Sequence, residues 1–103
     1  MILQDADRLD ALGAIGIART FAVSGALGRP IYDAADPFSQ IRDLDDRNYA
    51  IDHWPAKLLR LPALMNTDSG KALARQRIIL MKSFLTQLAC ELDTALPPDW
   101  GDI

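Results

Sequence analysis

Three carboxylates, Asp5, Asp7 and Asp10, stand close together near the start of the chain. Asp7 and Asp10 are spaced to share a helix face; Asp5 and Asp7 are not. Such a group can offer a carboxylate ligand to a hard or borderline metal cation. It can equally be a helix cap with first-turn acids answering the helix dipole, and on spacing alone that is the commoner outcome. His53 is the only histidine. It could act as a general acid–base group, a metal ligand or a phosphate contact, although a lone first-turn histidine is more often satisfied by a neighbour. Arg19, Arg29, Lys57 and Arg60 could hold phosphate, Arg through its planar fork and Lys as a point charge, but solvated surface charges are more frequent.

Other patterns carry less. Asp43, Asp45, Asp46 and Asn48 faintly suggest a calcium loop, yet Arg47 takes a ligand position, and the glycine and terminal glutamate are missing. The stretch GALGRP, Gly25 to Pro30, lacks the G-K-[ST] ending of a phosphate-binding loop. Cys90 reads as a buried, inert thiol. Tyr32, Trp54 and Trp100 could line a base- or sugar-binding surface, with core or loop packing as the default.

The elements that must position these residues are helical. Ala and Leu supply 15 residues each and Val one, in a chain of 103 residues, which favours helix over strand. A length of this order suits one domain spanning 1–103. Leu9, Leu12, Ile15 and Gly16 recur at helical spacing and predict one helix over about 4–22, apolar nearly all round and so buried on most sides. Gly13 and Gly16 would let another helix approach closely. A long loop is expected over 24–49, with a short helical turn near 37–44. A second helix is expected over about 51–61, with Asp52 as its N-cap and Pro55 in its first turn. A third runs over about 67–95, its apolar stripe marked by Leu73, Leu80, Phe84, Leu88 and Leu92 and widened by Met81, Leu85 and Ala89. Pro97 and Pro98 end it, leaving Trp100 to fold back or hang free. The expected class is thus all-α, a bundle of about three main helices joined by one long loop.

Composition also excludes. One cysteine rules out an internal disulfide and a cysteine-built zinc site. A net charge of −3 gives no case for a nucleic-acid polymer as partner. The longest run of apolar residues and glycine, Ala11 to Ala18, is far short of the ~20 residues of a membrane span. The early aspartates argue against a secretory signal. A cytoplasmic protein is expected.

The stretch QDADRLDALGAIGIARTF resembles the C-terminal signature of bacterial HD-domain metal-dependent phosphohydrolases. GRPIYD, IDHWPAKLLRLPALMNT and SGKALARQR follow in the order expected for one branch of that family. The resemblance covers roughly residues 2–33 and 50–92. It implies an all-helical fold and a site for a divalent metal ion (Mn, Mg, Fe, Ni or Zn) built from a His, an adjacent His-Asp pair and a distant Asp. That last Asp sits in an Ala-Asp-Arg/Lys-Leu context, which Ala6, Asp7, Arg8 and Leu9 match. The resemblance therefore makes Asp7 the metal ligand, with Asp5 and Asp10 as supporting neighbours, and makes Arg19, His53 and Lys57 contacts to a phosphate-ester or nucleotide substrate. The chain holds no His-Asp dipeptide; Asp52-His53 is the reverse order. It looks like the C-terminal portion of such a domain, expected to be inactive alone. The alternative is a non-catalytic helical module that forms a homodimer or binds a partner through exposed apolar helix faces.

Overall fold

The computed structural model describes residues 2–101, and among these every regular element is helical. Five α-helices run in order: α1 (Ile2–Leu9), α2 (Gly13–Ala26), α3 (His53–Ala56), α4 (Asp68–Glu91) and α5 (Pro98–Gly101). Two 3₁₀ segments, Ala50–Asp52 and Leu58–Leu64, flank α3. α4 is the spine. α1, α2 and the second 3₁₀ segment all pack against it.

The first predicted helix is broken in two. α1 and α2 meet at a bend of 67°. Gly13 has φ +69, a left-handed conformation that glycine adopts without steric penalty. At Gly16 a Cβ would lie 2.1 Å from the Ala11 carbonyl oxygen. Gly16 therefore admits the chain's own preceding corner and not a separate helix. Gly13 does make room across the fold, because Arg77 of α4 crosses it and donates to the Leu9 carbonyl at 2.6 Å. Arg8 donates to the Leu64 carbonyl, so the end of α1 is held from two sides. No single described helix is long and apolar enough to cross a membrane.

α2 is not buried on most sides. Gly13, Gly16 and Ser24 are its fully buried residues, while Ile15, Val23 and the following Leu27 are exposed. Too few elements surround it to cover a cylinder apolar all round. On α4 the buried line is Ala74, Ile78, Met81, Leu85 and Ala89. Met81, Leu85 and Ala89 belong to the predicted stripe; of the residues marking it, Leu73 and Leu80 are exposed and Phe84, Leu88 and Leu92 half-buried. Cys90 is exposed, against expectation, because it sits one position past the buried Ala89.

The predicted second helix becomes a short α-helical turn between two 3₁₀ segments. Asp52 makes no side-chain cap. Trp54 fills the centre, fully buried, with ring centroids 6.0 Å from Phe21 and 5.5 Å from Phe84. Trp100 folds back, and its ring meets Phe38 edge-on at 5.1 Å. Trp54 and Trp100 are thus core residues and not a binding surface.

The long connection begins at 27 and not 24, since α2 continues to Ala26. It contains turns but no helix near 37–44. It is nevertheless tied down. Asp36 accepts the backbone N–H groups of Gln40, Ile41 and Arg42. Arg42 donates to Asp33 at 3.0 Å and to both oxygens of Asp52 at 2.5 and 3.2 Å, while its guanidinium lies 4.5 Å over the Tyr49 ring. Pro30 and Ile31 carbonyls accept the N–H groups of Ala50 and Ile51. The aspartates of the faint calcium pattern are absorbed into this network: Asp45 accepts from Asn48, and Asp46 meets His53.

Candidate functional site

A cavity of about 200 Å³ opens between α2, the start of the long loop and the α3 region. Arg19, Arg29 and His53 line it, together with Thr20, Ser24 and Ala50. Each of Arg19, Arg29 and His53 arrives by a different route. Arg19 projects from the middle of α2, and its Nη1 also donates to the Asp10 carbonyl at 3.2 Å. Arg29 is delivered by a helix stop. The Arg29 N–H donates to the Ser24 carbonyl and the Gly28 N–H to the Gly25 carbonyl, with Gly28 at φ +73, the hydrogen-bond pair that turns a chain back over its last helical turn. His53 opens α3, and its Nδ1 lies 3.1 Å from the Asp46 carboxylate.

Behind the cavity wall, Trp54 Nε1 donates to Thr20 Oγ1 at 3.3 Å, and Thr20 donates to the Gly16 carbonyl at 2.8 Å. This chain of bonds fixes the α2 turn carrying Arg19 against the residue after His53. Two arginines and an imidazole thus share one cavity with apolar side chains such as Val23 and Leu58. Such a set can grip an anion, because guanidinium donors match phosphate oxygens in geometry and charge.

Lys57 is not a lining residue of this cavity. Its charge acts on Asp46, which the His53 bond first and Lys57 more weakly hold below the ordinary value of 3.8. Arg60 is turned away, donating to the Pro55 carbonyl at 3.1 Å. Geometry groups Arg29 with Arg19 and His53 and adds Asp46. Arg29 had a signal, as a cation after two glycines. Asp46 had none as a partner of His53, because irregular loop and a 3₁₀ turn separate the two.

The acidic group at the start divides. Asp5 is buried and fully used: it accepts from Asn66 N, Thr67 N and Thr67 Oγ1 at 2.8, 3.0 and 2.7 Å. Thr67 in turn caps α4, accepting from Gly70 N at 3.0 Å. Asp5 therefore secures the start of α4. Asp7 is exposed on α1. Among the described residues no three His, Cys, Asp or Glu side chains converge to hold a metal. The described residues do not make the metal site that the resemblance implies.

The backbone N–H of Asn66, followed by the Thr67 hydroxyl, holds the Asp5 carboxyl below its ordinary value of 3.8. The folded state thus keeps Asp5 ionised when the unfolded chain has begun to bind a proton. Stability from this group is complete above the unfolded value and is lost as pH falls through the lower folded one. Urea unfolding followed as pH falls below about 4 should show a loss of stability in the native chain. Asp5→Asn should begin less stable and lose less across that window. Equal slopes in the two proteins would show that Asp5 is not a linked group.

No protein-family model matches the chain. It is 44% identical over 86 residues to the uncharacterised protein YpgQ of Bacillus subtilis strain 168, matching 84% of this chain and 36% of that protein. The crystal structure of YpgQ in complex with ADP superposes with a TM-score of 0.73 at 42% identity, over 87% of this chain and 42% of that one. An HD-superfamily hydrolase from Bacillus thuringiensis superposes with a TM-score of 0.72 at 46% identity, over 89% of this chain and 45% of that one. The chain shares the all-helical fold of that hydrolase. It spans less than half the length of each of these relatives.

Proposed function

We propose that the chain is the phosphate-holding portion of an HD-type phosphohydrolase that acts on a nucleotide or another phosphate ester. The observation that carries this reading is the convergence of Arg19, Arg29 and His53 on one cavity. The similar protein YpgQ has been solved in complex with ADP, which favours a ligand with linked phosphates. The cavity, at about 200 Å³, is smaller than the ~300 Å³ at which pockets begin to enclose a drug-sized molecule. It suits the phosphate end of a nucleotide, leaving the base outside. Hydrolysis then needs metal ligands beyond Asp7, and binding is the activity to look for in this chain.

Calorimetry should detect binding of ADP and of pyrophosphate, and none of adenosine. Arg19→Ala and Arg29→Ala should each weaken ADP by about tenfold or more, since a charge-assisted hydrogen bond is worth roughly 1.5–3 kcal/mol. Equal binding of adenosine and ADP, or unchanged affinity in both variants, would overturn the reading.

A second reading rests on a different surface. Ile15 on α2 and Leu73 and Leu80 on α4 are exposed and line one shallow groove. Contiguous apolar patches mark association surfaces, and a homodimer would cover this one. Light scattering at rising concentration should report a dimer that Ile15→Lys dissolves. A monomer throughout would remove this reading and leave the first intact.

A further inference from the structure

His53 has two ring nitrogens, and only one has a protein partner among the described residues. Nδ1 lies 3.1 Å from Asp46 Oδ2. An ionised carboxylate can only accept, so Nδ1 must carry the hydrogen. His53 also lines the cavity between Arg19 and Arg29, which leaves Nε2 as the nitrogen available to a ligand there. Asp46 belongs to the long loop and is not itself a lining residue. It acts on the cavity only through the imidazole.

We propose that Asp46 is a positioning residue: it fixes the orientation and tautomer of His53 so that Nε2 serves the phosphate site. In the protonated ring, Nε2–H donates to a phosphate oxygen, and Asp46 balances the imidazolium charge from behind. In the neutral ring, Nε2 presents a lone pair beside the bound phosphate. A free histidine side chain favours the opposite tautomer, with hydrogen on Nε2, so the Asp46 bond reverses an intrinsic preference. A carboxylate that orients a working histidine in this way is costly to remove. The consequence for phosphate rests on the function proposed above; the orientation itself rests on the His53–Asp46 geometry alone.

Because His53 is the only histidine, nitrogen-15 histidine spectra report on it without overlap. At about pH 8.5, where an ordinary imidazole is neutral, the ligand-free chain should show hydrogen on Nδ1, and Asp46→Ala should shift the population toward hydrogen on Nε2. Pyrophosphate titrations at about pH 6, where an ordinary imidazole is largely protonated, supply the second arm. Asp46→Ala and His53→Gln should each weaken pyrophosphate about tenfold, the scale at which orienting partners act in ligand sites. The double variant should bind like His53→Gln alone, because Asp46 has no route to the ligand except through the ring. A purely structural Asp46 would give additive losses. Hydrogen on Nε2 in the native chain, or additive losses, overturns the proposal. If the native chain fails to bind pyrophosphate, the phosphate reading falls, and the tautomer measurement still decides the role of Asp46.

Discussion

Arg42→Met should cost about 3–5 kcal/mol, the scale measured when one partner of a buried ion pair is removed. The reason is Asp52, whose side chain is 0% exposed and whose two oxygens both receive the Arg42 guanidinium. After the substitution, the N–H of Asp45 at 2.8 Å remains as its hydrogen-bond donor, and a buried carboxylate with one donor is severely under-solvated. Asp33 is partly exposed and can turn to water. A loss of that size is a large share of the roughly 5–15 kcal/mol that holds a domain together. Urea unfolding followed by circular dichroism measures it. Arg42→Met combined with Asp52→Leu should recover much of the loss, because an apolar pair carries no stranded charge. A single variant within about 1 kcal/mol of the native chain would show that water reaches Asp52 freely. The same guanidinium donates to the Asp36 and Asp43 carbonyls, so amide exchange at Ile41, Arg42 and Asp45 should quicken. That loop carries Arg29 and Asp46, and anion binding should weaken with it.

Trp54→Ala should be as damaging, by a different mechanism. The Trp54 side chain is fully buried between Phe21 of α2 and Phe84 of α4. Its removal leaves a hole that the surrounding rings cannot close, at a cost of about 3–5 kcal/mol. It also removes the Nε1 bond to Thr20, and with it the link between the α2 turn holding Arg19 and the α3 turn holding His53. Thermal unfolding should fall by well over 10 °C, since each kcal/mol is worth roughly 4–8 °C in a domain near this size. Trp54→Phe should lose less stability while still losing the Thr20 bond. If Trp54→Phe binds ADP as the native chain does, that bond has no part in shaping the cavity.

Both substitutions act on residues outside the cavity, yet both should reach it. The cavity is assembled from three segments, each held by a separate device. Gly28 and the bonds at the end of α2 turn Arg29 back. The Thr20 and Trp54 bonds seat Arg19 against α3. Asp46 holds His53. Removal of any one should disturb the side chain it holds and weaken anion binding.

Local pattern alone determined the all-helical class, because a chain rich in Ala and Leu and nearly free of Val has few strand-forming stretches. It also determined the start of α4 to within a residue, since a Thr with suitable following residues is a local signal. The four ordered motifs determined the likeness to the HD-type hydrolases, and Arg19 and His53 as residues to watch. Tertiary structure decided the rest. The break between α1 and α2 depends on a glycine at positive φ and on a carbonyl approach that helical periodicity does not encode. The work of Asp5 is decided by Asn66 and Thr67, 61 and 62 residues away. The order of the long loop rests on Arg42, whose partners follow no period. The pairing of Asp46 with His53 arises only when that loop is folded against α3. Hydrophobic period reports what a segment does with its own backbone; the partner of a charged side chain is set by which distant segment the packing brings within about 3 Å.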